Sequence, residues 1–259
     1  MPASLKLQQQ FGDRFQVLFV ESQGASAAEA ATFALKQKWL GGLGIWTIEP
    51  PCDSGSSGLP SAVLLGGDGK VLFNGNPLDG HKEIIRLVEQ DNASRRAPPA
   101  DVPKALEPAW AAYGKGKIGD ALKLVDAIAE KDRPALGDAR QSTRDEFLKR
   151  TQVQIQRAQW ELDHGYPTRC SERLDQLAKA CEGQAELKKA IDEVRANLAA
   201  PAGVAEREAA KVLEKLEAKF YESGGKDDAR KDLERVTGKF ASTKVGERMK
   251  AALAIGGGK

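Results

Sequence analysis

The sequence predicts an α/β domain followed by an all-α domain, and three observations carry that reading. Short runs of β-branched and aromatic residues occur only within the first 92 positions. The stretch "NASRRAPPADVP", residues 92–103, then breaks the pattern with three prolines, two arginines and small residues. From 104 onward apolar residues recur at helical spacing, and no strand signal returns. The chain therefore divides into an α/β domain over 1–92, a Pro/Ala linker over 93–103 and a helical domain over 104–259.

The elements of the first part follow in order. "QVLFV" (16–20) is a continuous apolar run, as expected of a strand buried on both faces. In "ASAAEAATFALKQKWL" (25–40), Ala31, Leu35 and Trp39 recur every four residues on one helical face. "IWTI" (45–48) is a second short strand, closed by Pro50 and Pro51. "AVLL" (62–65) and "KVLF" (70–73) flank Gly66-Gly67-Asp68-Gly69, which is hairpin chemistry. "LDGHKEIIRLVEQ" (78–90) sets Ile84, Ile85 and Val88 on one face of a closing helix. Gly41-Gly42-Leu43-Gly44 follows a helix rather than a strand, so it reads as helix termination and not phosphate binding.

The second part consists of amphipathic stripes. One is Ile118, Ala121, Leu122, Val125, Ile128 and Ala129. Another sets Leu148, Ile155 and Leu162 seven apart, with Thr151 and Ala158 between them. Leu187, Ala190, Ile191, Val194 and Leu198 repeat the pattern, as do Ala209, Val212, Leu213, Leu216 and Phe220, and then Ala229, Leu233, Val236 and Phe240. Residues 109–131, 158–180 and 219–243 each read as helix, Gly-containing turn, helix. The first and third resemble tetratricopeptide-type hairpins, and together the three resemble a degenerate helical-hairpin array whose copies lie further apart than that family's thirty-four residues.

Composition narrows the function. Of 259 residues, 41% are hydrophobic and 29% charged, as in globular proteins. Lys+Arg total 39 against Asp+Glu 37, so net charge gives no case for nucleic acid. No apolar run approaches the ~20 residues a membrane span requires. "MPASLKLQQQFGDRF" has no apolar core or small-residue cleavage site, so as written no signal peptide is expected. Only Cys52, Cys170 and Cys181 occur, without a CxxC, and His81 and His164 stand far apart with no cysteine at ligand spacing. No metal site and no cofactor are expected.

The segment "GLPSAVLLGGDGKVLFNG" resembles the second half of a thioredoxin-like domain: a strand starting at an X-Pro, a Gly-Asp-Gly hairpin, a return strand and a closing helix. It is most similar to bacterial thiol–disulfide oxidoreductases and related peroxiredoxins, over residues 1 to about 92. Ser61 stands where that family usually has Thr, and Gly66 where it usually has Asp. The resemblance implies that Pro60 is a cis proline and that Leu59, Pro60 and Ser61 hold the backbone of a protein or peptide substrate. It also implies that "MPASLKLQQQFGDRFQVLFVES" is the helix after the family's CxxC and its next strand. The catalytic dithiol, and a central strand between those at 17–20 and 62–65, would then lie upstream of Met1. As written, the chain is expected to have no dithiol oxidoreductase activity.

Other chemistry has few candidates. Thiol exchange needs an accessible thiolate near positive charge. Cys52 is the candidate in the first part, though Glu49 and Asp53 disfavour its thiolate. Cys170 and Cys181 share an apolar face with Leu174, Leu177 and Ala178, as core cysteines do. His164 in "DHGYP" sits at a helix end, where a capping role suits it. Trp110, Tyr113 and Trp160 have helical spacing, which fits core packing or a peptide groove. The all-α part is expected to bind a protein partner, as helical arrays do.

Overall fold

A computed structural model describes residues 2–41, 45–55, 58–95, 97–99, 101–128 and 136–256. The chain forms two compact units that are not consecutive stretches. The first takes the chain up to Arg95 together with Glu217–Asp232 and the residues from Leu253 on; the second takes the chain from 96 to Leu216 and Leu233–Ala252. The division expected at 92–103 thus marks one crossing, and the C-terminal helices contribute to both units.

The first unit opens with α1 (Pro2–Phe11), then β1 (Leu18–Val20), α2 (Ala27–Lys36) and β2 (Ile45–Thr47). Ser26 caps α2: its hydroxyl accepts the Glu29 N–H at 3.3 Å, and Glu29 in return accepts the Ser26 N–H at 2.9 Å. β1 and β2 run parallel, in the register Leu18↔Ile45, Phe19↔Trp46 and Val20↔Thr47, with α2 as the crossover. β3 (Ala62–Leu65) and β4 (Val71–Gly75) form an antiparallel hairpin, Ala62↔Gly75 to Leu64↔Phe73, with an irregularity between Leu64 and Leu65. α3 (His81–Ser94) closes this part. Leu7 and Phe11 of α1 pack with Ile84 and Val88 of α3, and Leu64 and Phe73 of the hairpin lie against them. Gln8 is buried, and its side-chain oxygen accepts the Val17 N–H at 2.8 Å, tying α1 to the start of β1.

The two strand pairs are separate sheets among the described residues. This corrects the expectation of a β1 strand buried on both faces: Phe19 is buried, but Leu18 is 38% exposed. Leu18 and Val20 share the face opposite Phe19, and that face is exposed at Leu18 and half-buried at Val20.

The second unit holds α4 (Glu107–Gly114), α5 (Ile118–Asp126), α6 (Ala139–Asp163), α7 (Pro167–Ala180) and α8 (Ala185–Ala199). α9 (Pro201–Ser223), α10 (Asp227–Thr237) and α11 (Lys244–Ala254) contribute to both units. Its core is built from Leu106, Trp110, Leu122, Val125, Phe147, Ile155, Leu174 and Ile191. The turns α4–α5 and α6–α7 close on Gly116 and Gly165, whose φ values of +76° and +77° are those glycine adopts without cost. Both fall in the turns expected from sequence. Ala129 of the first stripe lies outside the described residues. No helix among the described residues is long and apolar enough to cross a membrane.

Candidate functional site

The site suggested by sequence is assembled on the β3–β4 hairpin. Its turn is tied by the Gly66 N–H to the Lys70 carbonyl at 2.8 Å and by the Gly69 N–H to the Gly66 carbonyl at 3.0 Å. Asp68 completes it, accepting the Lys70 N–H at 3.1 Å; that hydrogen bond holds the Asp68 carboxyl below its ordinary range. A side chain at Gly66 would begin 2.9 Å from the Asp68 carboxylate and 3.2 Å from that of Asp91. A carboxylate side chain there would add a third negative charge, so glycine suits this turn.

The strand entering this hairpin begins beside Leu59, Pro60 and Ser61. The Leu59–Pro60 peptide is cis. Leu59 is 62% exposed, and the Ser61 hydroxyl is buried without a hydrogen-bond partner among the described residues. β3 pairs with β4 alone, so its other edge carries no strand among the described residues. None of its four apolar residues is fully buried, and Leu65 is 41% exposed. An exposed apolar side chain, a buried unsatisfied hydroxyl and an open strand edge therefore adjoin each other.

Cys52 is half-buried on the loop preceding this segment. That loop is anchored to β4 by Asn74, whose amide donates to the Ser54 carbonyl at 2.7 Å. Cys170 and Cys181 belong to the helical unit and are buried in its core. Burial pushes each of these thiols up to about 11, with Glu161 and Asp163 adding to the effect at Cys170. They are inert as nucleophiles near neutral pH. Among the described residues no group of three His, Cys, Asp or Glu side chains is placed to hold a metal ion.

The aromatic residues separate into two groups. Trp110 is buried and meets Phe147 edge-on at 4.8 Å, while Tyr113 stacks flat on Phe147 at 4.3 Å. The Arg150 guanidinium lies 5.5 Å over the Trp110 ring. Trp160 is 43% exposed and stacks on His164 at 4.2 Å, with the Arg157 guanidinium 4.8 Å from its ring. Trp110 and Tyr113 are thus core and near-core residues around Phe147, and Trp160 belongs to a surface stack. His164 ends α6 as expected: its N–H and Nδ1 both lie against the Trp160 carbonyl, at 3.1 and 2.8 Å.

Sequence reasoning did not single out the Glu161–Arg173 pair. Glu161 is buried on α6 and receives two hydrogen bonds from the Arg173 guanidinium of α7, at 2.7 and 3.0 Å. The signal was its spacing, three residues after Ala158 on the buried face of the helix. No family model, curated protein or solved structure matches the chain.

Proposed function

We propose that this protein is a thioredoxin-like, thiol–disulfide-oxidoreductase-type module joined to a helical, tetratricopeptide-like protein-interaction domain. In these 259 residues it retains the part that holds substrate and lacks the dithiol. The observation that carries the reading is exposed Leu59, beside the buried Ser61 hydroxyl, leading into a strand whose second edge is open among the described residues. An extended peptide takes such an edge by backbone hydrogen bonding, and Leu59 and Leu65 present apolar surface to its side chains. The test is a photo-crosslinking residue placed at position 59, with a second at exposed Leu124 of the helical unit as control. Apolar extended peptides crosslink at 59 and not at 124; equal labelling at both refutes the reading.

The thiol chemistry of the resembled family proceeds by thiolate attack on a disulfide, and a second cysteine then resolves the mixed disulfide. The 259-residue chain, with three cysteines and no CxxC, is expected to leave insulin disulfides intact. A chain that crosslinks peptide at position 59 and leaves insulin oxidised is the alternative, a redox-inactive binding module; one that reduces insulin selects the oxidoreductase reading.

A further inference from the structure

We infer that residues 217–232 and 253–256 form a strap that holds α2 in place, so that the α/β unit is closed by a distant part of its own chain. The need for such an element follows from size. β1 and β2 are three residues each, and a two-stranded pair is marginal in water. Their crossover, α2, has ten residues, fewer than the ~12–15 at which isolated helices become even marginally stable. Its order must come from packing, and Ala30, Ala34 and Leu35 are all buried.

The distant segments supply that packing at close range. A Cβ on Gly225 would stand 2.6 Å from the Leu35 side chain, and one on Gly224 would stand 3.3 Å from the Leu35 carbonyl oxygen. A Cβ on Gly41, just after α2, would meet the Tyr221 side chain at 2.5 Å. Gly256 approaches Thr32 and Leu35 from the other strap segment, at 3.7 Å by the same measure. Gly225 has φ +76°, so both its backbone and its surroundings require glycine.

Arg230 fastens the two segments to each other. Its guanidinium donates to the Ile255 carbonyl at 2.7 Å and to that of Leu253, and it lies 5.2 Å over the buried Phe220 ring. The strap thus has one cationic clasp and one glycine seat against α2, which separate substitutions address.

The experiment is hydrogen exchange on the full chain, comparing the parent with Arg230→Met and Gly225→Val. Both variants are expected to speed exchange of the α2 amides roughly tenfold or more while α7 and α8 keep their parent rates. Unchanged α2 rates in both variants overturn the inference. So does uniform acceleration of α7 and α8 along with α2, because the segments would then support the helical core and not α2 in particular. If Gly225→Val does not fold, Arg230→Met alone decides the matter.

Discussion

Replacing Glu161 with Ala tests the energetics of the helical unit most directly. The Glu161 side chain is 3% exposed, and that of its partner Arg173 is 15% exposed. Both charges are therefore largely removed from water, and two short hydrogen bonds compensate for that loss. Deleting the carboxylate removes the acceptor of Nε and Nη2, while Nη1 keeps its bond to Gln154 Oε1, a neutral acceptor at 3.0 Å. Breaking a buried pair from one side costs about 3–5 kcal/mol. The lower end applies here, because Arg173 keeps some exposure and can turn toward water. At ~2–4 °C per kcal/mol for a protein of this size, the melting transition of the helical unit falls by roughly 6–12 °C. Calorimetry and urea titration of parent, Glu161→Ala and the double variant Glu161→Met/Arg173→Met measure this. The double variant is expected close to the parent, because apolar replacement of both partners removes the buried charge entirely. A single variant within about 1 kcal/mol of the parent, or a double variant as unstable as the single, refutes the argument.

Three further predictions concern the thiols and a close backbone contact. Alkylation of the native protein at neutral pH should modify Cys52 and leave Cys170 and Cys181 intact, as peptide mass mapping reads; labelling of either core cysteine without denaturant contradicts their burial. Their folded thiol pKa values of about 11 exceed the ordinary 9.0, so the stability they confer is complete below pH 9 and lost as pH rises toward 11. Tyr113, also raised by burial, acts in the same direction, and Cys170→Ala/Cys181→Ala should flatten the alkaline limb of a stability–pH curve. Gly119→Ala should cost ~2 kcal/mol or more, because its Cβ would stand 2.2 Å from the Glu182 carbonyl oxygen, and backbone cannot swing aside as a side chain can. A urea midpoint equal to the parent's would show that α5 and the α7–α8 turn separate freely.

The helical unit was largely legible in the sequence because its contacts are local and periodic. Leu187, Ile191, Val194 and Leu198 are buried on α8, and Ile118, Ala121, Leu122 and Val125 on α5, on the faces their spacing assigned. On α6 the expected stripe named Leu148, yet Phe147 is the fully buried residue and Leu148 only packs partly against the core. Both positions satisfy a helical period, and only the ring stacking of Trp110 and Tyr113 decides between them. In the α/β unit, the hairpin and its turn were readable from Gly66-Gly67-Asp68-Gly69, since turn chemistry is set by neighbours in sequence. On α2 the expected Leu35 is buried, but Ala30 and Ala34 are buried with it while Ala31 is only half-buried, so the covered face is turned from the predicted one. Leu59, Pro60 and Ser61 lie together as consecutive residues must. The burial of the Ser61 hydroxyl without a partner could not be read from sequence, since it depends on what folds over it.

The discontinuity of the first unit also sets a timetable for synthesis. Leu35 and Gly225 touch across about 190 positions. At ~5–20 residues per second, a ribosome delivers Gly225 roughly 10–40 s after Leu35. During that interval α4 to α8, whose packing partners are near neighbours in sequence, can already condense, because low sequence separation means fast closure. The segment carrying α2 therefore emerges before α4 to α8 and is completed after them. Until then it presents short apolar strands that a chaperone would recognise.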